Sequence, residues 1–90
     1  MEILGINENS HIHFIGIGGI SMSSLAMIMN ENGYKVTGSD ISKTALTDKL
    51  TELGINVYIE HNAKNVEGAK LVVYTAAIKK DNPEYIKCIE

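Results

Sequence analysis

A sheet of parallel strands covered by helices on both faces is the architecture this sequence predicts, and three observations predict it. Short apolar runs rich in Ile, Val and Phe alternate along the chain with segments of helical periodicity, the pattern of successive strand–helix–strand units. A glycine-rich turn, Gly16-Ile17-Gly18-Gly19, joins the first apolar run directly to the first helical segment. An acidic residue, Asp40, closes the second strand.

Composition sets the outer bounds. Ninety residues make one domain. A hydrophobic content of 44% together with periodic segments marks a folded chain. The net charge of −3, with no run of Lys or Arg, argues against a basic nucleic-acid surface. It leaves a nucleotide site open, because backbone amides and a helix dipole hold phosphate without basic side chains. Cys88, the single cysteine, has no partner for an intrachain disulfide, which fits a reducing cytoplasm. No segment reaches the ~18–20 apolar residues of a membrane span. The first ten residues carry Glu2 and Glu8 and no basic residue, unlike a secretory signal. A cytoplasmic protein, with neither membrane nor nucleic acid as a partner, is the expectation.

The first strand is read over His11 to Ile17, and Gly16, Gly18 and Gly19 then permit unusual backbone angles and close approach of a ligand. His11 and His13 share a face of this strand; with no third ligand near them, local hydrogen bonding is the expectation rather than a metal. The first helix is read from about Ile20 to Asn32, with Met22, Leu25, Ala26 and Met29 on its buried face and Gly33 as its C-terminal cap. Because it starts on the glycine turn, it points free N–H groups and the positive end of its dipole into the gap, a seat for phosphate or diphosphate. On this reading Gly18→Val fills the phosphate space with little effect on the fold.

Tyr34 to Ser39 is the second strand, with Val36 facing inward. Asp40 follows at about the 20-residue offset from the glycine turn at which dinucleotide folds place an acid for a ribose hydroxyl. Ser42 and Thr44 are nearer caps for the next helix, which leaves Asp40 for a ligand. That helix, about Thr44 to Leu53, is expected to place Leu46, Leu50 and Leu53 on one face with Thr47, Asp48, Lys49 and Glu52 outward or flanking, and Gly54 stops it. Ile55 to Ile59 is the third strand, and Glu60-His61-Asn62 lies beyond its C-terminal end, on the ligand side of a parallel sheet. Asn65 to Gly68 is a short connection of about one helical turn. Leu71 to Tyr74 is the fourth strand, ending in the small residues Thr75-Ala76-Ala77, against which a flat ring fits closely. Asn82 as N-cap, Pro83 at the first helical position and Glu84 in the first turn open the last helix, with Tyr85, Ile86 and Ile89 on its buried side.

Right-handed crossovers then give a Rossmann-like, doubly wound α/β sheet of strand order 3-2-1-4, with the glycine turn at the switch point. The last helix calls for a further strand, so the sequence reads as truncated before its last strand, a fragment of a longer protein. The glycine turn with Asp40 also admits an NAD-binding domain of an oxidoreductase. Against that stand the doubled Gly18-Gly19 and Ser21, which occupies the place of the fingerprint's third glycine.

His13-Phe-Ile-Gly-Ile-Gly-Gly-Ile-Ser-Met-Ser23, Gly33-Tyr-Lys-Val-Thr-Gly-Ser-Asp40, Gly54-Ile-Asn-Val-Tyr-Ile-Glu-His61, Val72-Val-Tyr-Thr-Ala-Ala-Ile78 and Asn82-Pro-Glu84 follow one another in the order found in the Mur ligases of peptidoglycan assembly. From His11 to Glu90 the chain resembles their N-terminal domain, with Ser21 and Ser24 at positions where glycine is usual. The pattern is nearest to the members that add L-alanine to UDP-N-acetylmuramate, and the ligases that recycle murein tripeptide share much of it. The resemblance implies that residues 1–90 form the UDP-sugar-binding domain of a three-domain ligase. Gly18, Gly19, Ile20 and Ser21 would hold the diphosphate through their amides. Asp40 would bind the ribose, and Ile41, His61, Thr75, Ala76 and Ala77 would surround the uracil. It also implies ATP and Mg2+ for the full-length enzyme, bound with L-alanine by other domains. This chain has no Gly-Lys-Ser or Gly-Lys-Thr and so no ATP loop of that type; the expectation is that it holds no cofactor and supplies no catalytic residue.

Overall fold

The computed structural model of the protein describes residues 9–75 and 78–89. In chain order its elements are β1 (His11–Ile15), α1 (Ile20–Glu31), β2 (Lys35–Ser39), α2 (Ala45–Glu52), β3 (Asn56–Tyr58), a 3-10 turn (Ala63–Val66), β4 (Leu71–Val73) and α3 (Pro83–Cys88). The strands form one parallel sheet in the order β3-β2-β1-β4, the order the sequence predicts. The chain therefore has a Rossmann-like α/β fold. None of the described helices is long and apolar enough to cross a membrane.

Side chains alternate across a strand, and in β1 the alternation separates two chemistries. Ile12 and Phe14 enter the apolar core with Val36 of β2, Met22, Ala26 and Met29 of α1, and Leu50 of α2. His13, with Thr37 of β2 in register beside it and Ser39 two residues further along the same face of β2, points to the opposite face. There α3 and the 3-10 turn pack together, and Glu84 of α3 meets His13 and Ser39. One face of the sheet is closed by oil and the other by hydrogen bonds.

The helix starts and stops follow the sequence. Gly33 and Gly54 take φ values of 91° and 94° just past α1 and α2, the left-handed conformation that ends a helix. Thr44 caps α2, its Oγ accepting from the Thr47 N–H while the Thr47 hydroxyl accepts from the Thr44 N–H.

Three predicted helix faces need correction. In α1, Ser23 is buried where Leu25 was expected, and Leu25 is 40% exposed; the small Ser23 turns its hydroxyl back to the Ile20 carbonyl and lets the helix lie close to the sheet. In α2, Leu53 is 47% exposed because the helix ends one residue before it. Thr47, read as outward or flanking, is buried, with its hydroxyl engaged in the cap. In α3, Ile86 and Ile89 are exposed and Glu84 is the buried residue, because this short helix meets the polar face of the sheet.

Gly38 in β2 has a steric role that periodicity does not reveal. A Cβ there would stand 2.6 Å from the Cβ of Ile17, a fully buried residue that cannot yield. Gly38→Ala is expected to destabilise the chain by ~1–3 kcal/mol through overpacking, read as a lower urea midpoint; an unchanged midpoint would contradict this packing.

Candidate functional site

The turn from β1 to α1 is held by backbone bonds to the end of β2. The amides of Gly16 and Ile17 both donate to the Ser39 carbonyl, at 2.8 and 2.9 Å. Gly16 has φ 82°, a conformation that favours glycine. The Gly18 amide donates to Asp40 Oδ2 at 2.9 Å, and the Gly19 amide to the Gly16 carbonyl at 3.2 Å. Gly19 is the N-cap of α1 and supplies no side chain to the helix end. Among the described residues nothing accepts from the amides of Ile20, Ser21 and Met22. These three N–H groups, at the positive end of α1, are the open donors of the turn.

This changes the role of Gly18. A Cβ at position 18 would lie 2.7 Å from Asp40 Oδ2 and 3.2 Å from Thr47 Cγ2. Gly18 therefore makes room for the Asp40 carboxylate, and a valine would displace that carboxylate before it filled any phosphate space. Asp40 in turn spans the two loops. Its Oδ1 accepts from the Ser42 N–H at 3.2 Å, and its own N–H donates to the Tyr58 carbonyl of β3. A carboxylate has about four lone-pair directions, so each oxygen keeps one for a further donor. Asp40 does not cap α2, a role taken by Thr44.

Beside the turn lies a cleft of about 490 Å³ at the C-terminal ends of the strands. Ile15, Gly16, Ile41, His61, Thr75 and Asn82 are among its lining residues, so Gly16 belongs to both the turn and the cleft. The structure thus brings Ile41, His61 and Thr75 together from three different connections. Ile41 is 75% exposed and Ile20 83% exposed, apolar side chains standing at the open edge. Ala76 and Ala77 lie outside the described residues.

Beneath the cleft is a buried polar network that reading the sequence missed. Glu84 is fully buried, and its carboxylate accepts four hydrogen bonds. Oε1 takes His13 Nε2 at 2.6 Å and the Ser39 hydroxyl at 2.7 Å. Oε2 takes the Asn62 N–H at 2.9 Å and Asn65 Nδ2 at 2.8 Å. Burial pushes the Glu84 carboxyl up, but the hydrogen bonds from His13, Ser39, Asn65 and Asn62 outweigh it and hold the group down to about 2. His13 Nδ1 meets the Thr37 hydroxyl at 2.7 Å, and His11 Nε2 meets the same oxygen at 2.6 Å. Burial, with Lys35 and His13 nearby, lowers the His11 pKa. His61 Nδ1 lies 2.9 Å from Ser39 Oγ, which couples the network to the wall of the cleft. In the sequence Glu84 carries the ordinary signature of a first-turn acid, Asn-Pro-Glu, which points to the helix dipole and not to strands 71 and 45 positions away in the chain. No residue pattern signals that contact.

Open amides at a helix start, an acid at the next strand end and a cleft at the switch point of the sheet are the features with which α/β folds hold nucleotides. Residues 11–90 match the model of the Mur ligase family, catalytic domain, and the chain belongs to that family. It is 52% identical over 84 residues to the UDP-N-acetylmuramate–L-alanine ligase of Clostridium botulinum, a match covering 93% of this chain and 18% of that protein. With the enzyme of the same name from Acetivibrio thermocellus it shares 53% identity over 87 residues, 97% of this chain and 19% of that one. The chain thus spans about a fifth of the length of these relatives. Among solved structures it is similar to the UDP-N-acetylmuramate–alanine ligase of Thermotoga maritima, with TM-score 0.83 and 43% identity over 88% of this chain and 18% of that one. It is also similar to the UDP-N-acetylmuramate:L-alanyl-gamma-D-glutamyl-meso-diaminopimelate ligase of Neisseria meningitides, with TM-score 0.77 and 34% identity over 89% of this chain and 25% of that one.

Glu84 gives the fold a signed pH dependence. Its folded pKa lies below the ordinary value of 4.5, so its contribution is fully present above about 4.5 and is lost as pH falls towards about 2. Urea titrations across that window should show stability falling more steeply in the unsubstituted chain than in Glu84→Gln. Equal slopes would show that the carboxylate is not held as described.

Proposed function

We propose that this chain is the UDP-binding domain of an ATP-dependent Mur ligase that joins L-alanine to UDP-N-acetylmuramate. The carrying observation is the continuity of two chemically different sites. The open amides of α1 and the cleft of Ile41, His61 and Thr75 meet at Gly16 and at Asp40-Ile41. A ligand with an anionic middle and a flat ring at one end fits that continuity. The diphosphate lies along Gly18-Gly19-Ile20-Ser21 and takes its hydrogen bonds from the amides of Ile20 and Ser21, since those of Gly18 and Gly19 are engaged within the turn. Asp40 offers its remaining lone pairs to the ribose hydroxyls. The uracil enters the cleft between Ile41, His61 and Thr75, with Ala76 and Ala77 following on the same connection.

The domain's task is recognition. ATP, Mg2+ and L-alanine belong to the full-length enzyme, working in the cytoplasm. This chain has no Gly-Lys-Ser or Gly-Lys-Thr loop for the ATP phosphates, so no chemical step is assigned to its residues. The alanine-adding reading is favoured over murein tripeptide recycling by identities of 52% and 53% to enzymes of the first name, against 34% to a structure of the second.

Calorimetric titration of the chain with UDP, UDP-N-acetylmuramate and NAD tests the proposal. UDP and its sugar conjugate should bind, with NAD weaker. Asp40→Ala should weaken UDP by ~1–3 kcal/mol through loss of a charge-assisted hydrogen bond. NAD binding tighter than UDP would overturn it, and unchanged UDP affinity in a folded Asp40→Ala chain would remove Asp40 from the site.

A further inference from the structure

The hydrogen bonds under the cleft have a direction, and the direction fixes what His61 offers to a ligand. Glu84 accepts at both oxygens and has no proton to give. The Ser39 hydroxyl has one proton, and it is committed to Glu84 Oε1 at 2.7 Å. Toward His61, Ser39 Oγ can therefore only accept, and the ring nitrogen that faces it, Nδ1 at 2.9 Å, must carry a hydrogen. A neutral imidazole has one N–H, so the opposite nitrogen, Nε2, is left with a lone pair. No described residue bonds Nε2, and it is not among the buried polar atoms lacking a partner, so it is open to solvent. The ring lines the cleft, and its side chain is 20% exposed.

From this we infer that Ser39 and Glu84 are positioning residues that hold His61 as a hydrogen-bond acceptor in the cleft, so that the site selects a base with a ring N–H over one with a lone pair at the same place. The inference rests on the proposed uridine reading and deepens it. Uracil presents N3–H between two carbonyl oxygens, whereas cytosine presents an unprotonated N3 at that position. A cytosine seated in the same pose sets one lone pair against another and leaves Nε2 desolvated without a donor. The positions of Ser39 and His61 are fixed from below: Asn62 and Asn65, which flank the His61 connection, are tied to the same carboxylate by Oε2. Without Ser39 the Nδ1–H has no acceptor at hydrogen-bond distance, since Glu84 Oε2 is 3.6 Å away. The ring is then free to carry its proton on Nε2.

Two measurements on the full chain test this. With histidine labelled by 15N, the neutral His61 ring should show hydrogen on Nδ1 and a pyridine-type Nε2 in the absence of any nucleotide. Hydrogen on Nε2 would overturn the positioning role. In competition titrations UDP should bind about tenfold or more tightly than CDP. Ser39→Ala should lower that ratio several-fold while weakening UDP more than CDP, with circular dichroism confirming that the variant is folded. A ratio left unchanged by Ser39→Ala overturns the selectivity. Failure of the unsubstituted chain to bind UDP at all would sink the uridine reading and the selectivity together, whereas the tautomer is read without ligand and judges the role of Ser39 and Glu84 separately.

Discussion

The Glu84 carboxylate ties together four parts of the chain that are far apart in sequence. It joins α3 to β1 through His13, to β2 through Ser39, and to the connection after β3 through Asn62 and Asn65. Burying an isolated carboxylate would be very unfavourable, and only a full set of donors makes it tolerable. Both oxygens are satisfied, and among the described residues no buried polar side-chain atom lacks a partner. Breaking such a buried set by removing one partner typically costs ~3–5 kcal/mol, because the remaining groups stay desolvated and unpaired. The geometry of the polar face is therefore strongly determined, and the floor of the cleft is part of that face.

The second constraint is the fit of Asp40 against Gly18. Here the backbone comes close to a carboxylate only because one residue has no side chain. The contact holds the glycine turn to the end of β2 while the amides of Ile20, Ser21 and Met22 remain open at the start of α1. On the proposed function, ligand recognition in this region rests on backbone donors and one acid, in keeping with a net charge of −3 and no basic cluster. The apolar face of the sheet gives these loops a rigid base, and the polar face orients the cleft.

Much of this was legible in the sequence. The alternation of strands and helices, with the handedness of crossovers, was enough for the order 3-2-1-4. Gly33 and Gly54 marked helix ends, and Asn82-Pro83 marked a helix start, because each is a local requirement of the backbone. Other features were not legible because they depend on what lies across the fold. Ser23 replaces Leu25 at the sheet because close approach there favours the smaller residue. Gly38 reads as a weak strand residue until Ile17 is placed over it. His13 and Glu84 are 71 positions apart and carry no shared pattern. Within the candidate site, the strand ends placed Asp40, His61 and Thr75 on the ligand side, but the sequence did not reveal that the Gly18 and Gly19 amides are used internally.

Mapping UDP onto the chain by amide chemical shifts tests the central claim most directly. In a 1H–15N correlation spectrum, saturating UDP should move the amides of Ile20, Ser21 and Met22 together with those of Ile41, His61 and Thr75, as one continuous site reaching from the start of α1 into the cleft. Shifts confined elsewhere, for example to the second cleft lined by Val66, Gly68, Lys70, Tyr74, Lys87 and Ile89, would contradict it.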